Sequence, residues 1–199
     1  MRSNIFRYAL ITTAAVSLSA CGINSVPTAQ ENATAKWADV EASYQRRADL
    51  IPNLVESVKG AMKQEKDVLI GVTEARAKAT SIQLSADDLS DPAKVAQFQQ
   101  AQTQLGSSLG RLLATFEAYP QVKSNENVLA FQSQLEGTEN RISVARRDYN
   151  EAVRNYNTTI RTFPDIIGAK IIHGAKPMTS YKATSEGAEE APKIDMTSG

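Results

Sequence analysis

From Val128 onward the apolar or small positions recur at Phe131, Leu135, Thr138, Ile142, Ala145, Tyr149, Ala152, Tyr156, Thr159 and Phe163, in steps that alternate three and four. This is the seam of a helix packed against other helices; a strand alternates by two and cannot produce it. The same rule orders Val95, Phe98, Gln102, Leu105, Leu109, Leu112, Phe116 and Tyr119, with Gln102 the polar exception. It orders Leu54, Val58, Ala61, Glu65, Val68, Val72, Ala75 and Ala79 as well, with Glu65 the exception. A shorter stripe of Trp37, Val40, Tyr44 and Arg47 precedes them in the same phase. The pattern predicts an all-α chain of long helices.

Chemical markers set the expected ends. Asp91-Pro92 offers a capping carboxylate and a proline at the first helical position, where its missing N–H costs nothing. Pro120 and Pro164 are placed to stop the helices before them, and Ser124 or Asn125 to cap the next. Between Ser81 and Ser90 the chain reads as a polar loop with one short turn. The segment Asp49-Leu50-Ile51-Pro52 poses the main topological question. Proline inside a helix costs about 3 kcal/mol, whereas in a first turn capped by Asp49 it removes only an orphan donor. A straight rod would also carry Trp37, Val40 and Tyr44 past the end of the third helix, forfeiting about 1.5–3 kcal/mol for each such side chain left unburied. Both arguments favour a fold-back at Pro52 and an antiparallel four-helix bundle joined by short loops. The alternative is three long helices, the first kinked at Pro52.

The N-terminus has a different logic. Arg2 and Arg7 precede a run without charge over residues 8–20, too short for the roughly 20 apolar residues of a spanning helix. A basic start, a short apolar run and small residues describe a secretory signal peptide over residues 1–20. Leu18-Ser19-Ala20-Cys21-Gly22 resembles the lipobox of bacterial lipoproteins, which implies cleavage before Cys21 and acylation of its thiol. One acyl chain binds a bilayer only marginally, so a multiply acylated cysteine supplies the anchor that no helix provides. Gly22 after the cysteine, by the same resemblance, favours the outer membrane and a domain facing the periplasm. Residues 21–30 read as a tether, 31–163 as the bundle, 164–182 as an apolar loop, and 183–199 as a small, polar, disordered tail.

Composition narrows the chemistry. The 199 residues are 42% hydrophobic, enough for one domain with a real core. Equal numbers of basic and acidic side chains, 22 each, give no electrostatic reason to expect nucleic acid. One Cys and one His exclude an internal disulfide and a zinc site built from several such ligands. Arg46-Arg47 with Asp49 forms either an anion-binding corner or a locally paired turn. Glu65 on its seam is either a buried acid or a carboxylate paired with an arginine such as Arg141, Arg146 or Arg147. Those arginines interleave with Glu136, Glu139, Asp148 and Glu151 as on a salt-bridged outer face. Tyr149 and Tyr156 are expected in the core with hydroxyls reaching the rim. Gly106 and Gly110 are read as small residues that let helices approach closely. In the loop after Pro164, Ile166, Ile167, Ile171 and Ile172 form either a lid on the bundle end or a contact surface for membrane or partner. No nucleophile, base and orienting group compose a catalytic set, His173 is not expected to do catalytic work, and no cofactor or metal is expected.

Arg46-Arg47-Ala48-Asp49-Leu50-Ile51-Pro52-Asn53-Leu54-Val55-Glu56-Ser57-Val58-Lys59-Gly60 and, after it, Val72-Thr73-Glu74-Ala75-Arg76 resemble the signature and the next block of the LemA family of bacterial membrane-attached proteins. The run from Leu112 through Ala118-Tyr119-Pro120 and Asn125-Glu126-Asn127 to Leu135-Glu136-Gly137-Thr138-Glu139-Asn140-Arg141-Ile142 is similar to a third block. Ala145-Arg146-Arg147-Asp148-Tyr149-Asn150, Asn155-Tyr156-Asn157 and Phe163-Pro164 complete the likeness, which spans Trp37 to Lys176. The resemblance implies a helical bundle on the cell envelope with no established enzymatic activity. The residues leave open an interaction or scaffold module, a structural lipoprotein touching peptidoglycan or lipid, and a metal-dependent or acid/base enzyme using Glu65. Family genes lie near membrane zinc peptidases and other envelope proteins, which implies a membrane peptidase or another envelope protein as partner. Candidate binding residues are therefore Arg46, Arg47, Asp49, Asn53, Glu65, Asn140 and Arg141. Ala61 and Gln64 stand where the family has Tyr and His, so no role of that histidine carries over.

Overall fold

One helix, α1 (Arg2–Val58), carries the chain past Pro52 without a turn. The computed structural model describes residues 2–182, with side chains from Asn24 onward. Five further helices follow: α2 (Lys66–Ser81), α3 (Pro92–Thr115), α4 (Pro120–Lys123), α5 (Glu126–Thr159) and α6 (Asp165–Ile171). Short 3-10 turns lie at Asp87–Ser90 and Phe116–Ala118, and no strand occurs among the described residues. The fold is all helical, as the periodicity requires.

The expected fold-back at Pro52 does not occur, and the structure shows why. Proline lacks the N–H that would bond the carbonyl four residues earlier, so the Ala48 carbonyl loses its helical donor. Arg76 of α2 replaces it, its Nε donating to the Ala48 oxygen at 2.7 Å. The Pro52 ring itself faces solvent. With the acceptor satisfied, the rod keeps Ile51, Leu54 and Val58 buried on the face that carries Trp37, Val40 and Tyr44. Each such side chain contributes about 1.5–3 kcal/mol, which outweighs the proline cost. The reversal falls instead at residues 59–65, where Met62 plugs the turn. Ala61 and Glu65, read as seam positions, therefore lie in this turn, and Ala61 is exposed.

Two contiguous clusters of side chains give the topology. In one, Val26 to Tyr44 of α1 meet Ile142 to Tyr156 of α5; in the other, Ile51 to Val58 meet Val128 to Leu135. The two long helices are thus antiparallel. Val95 and Phe98 at the start of α3 join the first cluster, and Leu105 to Leu112 join the second, so α3 runs with α1 while α2 returns against both. The stripe of Trp37, Val40 and Tyr44 is covered by α5, by Phe98, by Leu84 and Leu89 of the α2–α3 connection, and by Met178 and Tyr181 after α6. An uninterrupted rod leaves none of these three side chains uncovered, because α5 and the C-terminal segment are long enough to follow it.

The caps behave as read. The Asp91 side chain accepts from the Ala93 N–H at 2.9 Å with Pro92 in the first turn, and Asn125 accepts from Asn127 at 2.9 Å. In the α2–α3 connection, Asp88 takes bonds from the Ser85 N–H (2.9 Å) and hydroxyl (2.7 Å) and pairs with Lys94. These partners, Lys94 foremost, hold the Asp88 carboxyl down at about 2. Other ends shift. Before Pro120, α3 gives way to a 3-10 turn, and Pro120 opens α4. α5 ends at Thr159, which leaves Phe163 73% exposed rather than on a seam.

The stretch read as a tether is helical at residues 24–30, with Val26 fully buried. The signal peptide and the Cys21 side chain lie outside the described side chains, and the tail over residues 183–199 lies outside the described residues. The segment read as an apolar loop contains α6, and its isoleucines do not form a lid: Ile167, Ile171 and Ile172 are exposed while Gly168 and Ala169 pack inward. A methyl group added at Gly110 would meet nothing within 4 Å, so this glycine serves no close helix approach. At Gly106 it would stand 3.7 Å from the Arg47 guanidinium, an ordinary contact.

Candidate functional site

Beyond α6 the chain runs without regular structure over residues 174–182 along α5. Two asparagines seven residues apart hold it there. Asn157 donates from Nδ2 to the Met178 carbonyl at 2.9 Å and accepts the Met178 N–H on Oδ1 at 2.9 Å. Asn150 does the same to Tyr181, at 2.9 Å and 2.7 Å. Next to each asparagine a tyrosine adds a bond: the Tyr156 hydroxyl donates to the Lys176 carbonyl (3.0 Å) and the Tyr149 hydroxyl to the Thr179 carbonyl (2.8 Å). Arg146 continues the series by donating to the Lys182 carbonyl at 3.0 Å.

The match of lengths is geometric. Seven helical residues rise about 10.5 Å, and three extended residues advance about 10 Å. A heptad-spaced pair of amides therefore meets every third residue of an extended chain. All these bonds go to main-chain groups, so the ladder holds a backbone whatever its side chains. Selectivity enters through Met178 and Tyr181, which are 5% and 4% exposed.

Tyr181 is the better-anchored of the two. Its hydroxyl meets that of Tyr44 at 2.5 Å, its ring stacks on Tyr44 with centroids 6.3 Å apart, and the Arg146 guanidinium lies 4.1 Å from its centroid. Burial raises the pKa of Tyr181, and the neighbouring Tyr44 adds to the rise. Burial likewise raises Tyr44 and Tyr149 above the usual 10.0 of a phenol. Trp37 completes the wall, packed edge-on to Phe98 and Tyr149 with centroids 5.1 Å from each.

The residues predicted from sequence are not gathered into one pocket. Arg47 is 4% exposed and bridges three helices: Nη1 pairs with Glu139 at 3.0 Å, and Nη2 donates to the Gln102 carbonyl and side chain at 2.9 Å each. Gln102 in turn donates to the Ala79 carbonyl at 3.2 Å. Two polar residues on the seams, Arg47 and Gln102, thus belong to one buried network. Arg46, Asp49 and Asn53 are exposed on α1, with Asp49 accepting a bond from Gln45 at 2.7 Å. Asn140 and Arg141 are exposed on α5 and line a shallow groove with Asp39, Val144 and Asp148. Glu65 takes a hydrogen bond from the Tyr119 hydroxyl at 3.2 Å rather than an arginine, and Tyr119 is raised by desolvation and by this carboxylate. Among the arginines read as an outer-face lattice, Arg146 grips the C-terminal segment instead.

Sequence reasoning passed over the ladder, although its signal was present. Tyr149-Asn150 and Tyr156-Asn157 repeat the same dipeptide at heptad spacing. A seam needs the tyrosines but not the asparagines. Among the described residues no three His, Cys, Asp or Glu side chains lie together as metal ligands, and no helix is long and apolar enough to cross a membrane.

Fold and site together define a class: a helical bundle of long heptad-patterned rods whose longest pair flanks a backbone-holding ladder. A family model described as the LemA family matches residues 36–196, and the chain belongs to that family. Curated relatives include the protein LemA of Metamycoplasma hominis, 27% identical over 124 residues, or 62% of this chain and 52% of that protein. The magnetosome protein MamQ 2 of Paramagnetospirillum magneticum is 27% identical over 157 residues, or 71% of this chain and 58% of that protein. The magnetosome protein MamQ of Magnetospirillum gryphiswaldense matches to the same extent. The chain thus spans a little over half the length of these relatives.

Proposed function

We propose that this LemA-family protein is a non-enzymatic interaction module of the bacterial cell envelope, moored by acyl chains on Cys21 and facing the periplasm, with the outer membrane favoured. The observation that carries the reading is the Asn150–Asn157 ladder. Asparagine amides that both donate to and accept from a single residue's backbone are a means of holding extended polypeptide, and here they hold residues 178 and 181. An extended segment of an envelope partner, a membrane peptidase among the candidates, would meet the same face by displacing or extending the resident segment. The lipobox around Cys21 supports the mooring, and none of the relatives' names states an enzymatic activity.

The test is photo-crosslinking in intact cells from Arg147 and Arg154, both exposed beside the ladder. One reproducible envelope partner, lost in the Asn150→Ala, Asn157→Ala variant, is the expected result. Capture of abundant background proteins alone would refute the module. Cys21→Ser protein that still fractionates with membranes would refute the lipid mooring.

A further inference from the structure

We propose that the bundle end bearing α6 rests on a lipid surface, with Phe163, Ile167, Ile171 and Ile172 inserted at the headgroup level. The proposal builds on the mooring of the chain through its N-terminus and adds a second, non-covalent membrane contact. Large apolar side chains are exposed at seven described positions, and four of them fall within this one short run. Their exposures are 73%, 52%, 79% and 56%. The other three, Ile70, Leu129 and Val144, stand apart on α2 and α5. Scattered exposed apolar residues are ordinary, whereas a cluster marks a surface that is covered in use.

Two observations identify the cover as lipid. The first is position. α6 packs against the early part of α1, where the Ser25 hydroxyl bonds the Asp165 carboxylate. Cys21 precedes Ser25 by four residues of the same helix, a rise of about 6 Å. Attachment by acyl chains on Cys21 or by the apolar run over residues 8–20 therefore brings the bilayer to this end of the bundle. The second is charge. Arg161, Lys170 and Lys176 are exposed in the same stretch of chain as the apolar side chains, and the acid of the run, Asp165, is half-buried and engaged by Ser25. Apolar side chains interspersed with cations along the chain suit an anionic lipid surface, where the former enter the acyl boundary and the latter meet phosphates.

The experiment uses full-length protein extracted from membranes and reconstituted into vesicles of phosphatidylethanolamine and phosphatidylglycerol with brominated acyl chains. Trp37, the native indole, is buried and supplies a constant background. Ile171→Trp adds an indole at the proposed contact, and Leu129→Trp adds one at the opposite end; both sites are exposed, so neither change disturbs packing. Flotation of the vesicles reports the mooring, and quenching reports the contact. The expected result is flotation of both variants with an about twofold or larger loss of the added emission for Ile171→Trp and little for Leu129→Trp, as for a side chain sunk to the acyl boundary. Flotation with no quenching at residue 171 overturns the contact and leaves the mooring standing. So does a blue-shifted but unquenched signal there, which would mean that another copy or another protein covers the tip. Equal quenching at both sites would mean a bundle lying flat and also overturns it. Failure to float overturns mooring and contact together.

Discussion

If Arg76 is what lets α1 pass Pro52, removing its donor should cost stability only while the proline is present. Ala48 is 2% exposed, and its carbonyl accepts from Arg76 Nε at 2.7 Å across 28 residues of sequence. Arg76→Leu keeps most of the aliphatic bulk but leaves a buried carbonyl unpaired, at a cost of about 1–3 kcal/mol. In a chain of this size each kcal/mol lowers the melting temperature by roughly 2–4 °C, so a drop of about 2–12 °C is expected. Pro52→Ala supplies the missing N–H and relieves a ring clash worth about 3 kcal/mol, offset by up to about 1 kcal/mol of added freedom in the unfolded chain. The net gain is therefore about 2 kcal/mol. In the Pro52→Ala background the Ala48 carbonyl has its helical partner, and Arg76→Leu should cost less than about 0.5 kcal/mol. The coupling between the two sites is then about 0.5–3 kcal/mol, from the edge of the scatter of additive pairs to well beyond it. Urea unfolding followed by far-ultraviolet circular dichroism measures all four proteins, with midpoints compared at unchanged slope. Equal costs of Arg76→Leu in both backgrounds would refute the reasoning, because Arg76 would then act through something other than the orphaned carbonyl.

Four further outcomes follow from the contacts. Asn150→Ala with Asn157→Ala should release residues 176–182, so that the Met178 and Tyr181 amides, protected in the native protein, exchange with deuterium about tenfold or more faster; unchanged protection would mean that the remaining contacts hold the segment without the asparagines. Burial raises Tyr44, Tyr149 and Tyr181, so their contribution to stability is complete below pH 10 and is lost as pH climbs above it. Phenolate absorbance should accordingly show these three ionising together with loss of helix rather than before it. Asp88 is depressed to about 2 by Lys94 and Ser85, so its contribution is complete above 3.8 and disappears as pH falls toward 2. Its carboxyl carbon shift, followed by nuclear magnetic resonance, should titrate near that value, and Lys94→Met should return it toward 3.8. Arg47→Lys should lower stability by about 1–2 kcal/mol in thermal melts, because one ammonium cannot reach Glu139 and Gln102 together as a guanidinium does.

Much of the architecture was legible in the order of residues. Helix, strand and turn differ in period, and steps of three and four admit only a helix, so the α3 and α5 seams were set residue by residue from Val95 to Phe116 and from Val128 to Tyr156. Caps are local, and Asp91 and Asn125 act within two residues of themselves. What required the folded chain were decisions made between distant positions. Pro52 is tolerated because of a donor 28 residues away, a partner that no local rule can assign. Glu65 left the seam because the reversal moved to residues 59–65, and Phe163 left it because α5 had already ended. The asparagines of the ladder look like ordinary surface residues until an extended segment lies across them. Local sequence sets which face of a helix is apolar; only the packing of remote segments decides which orphaned groups find partners and which apolar side chains stay in the open.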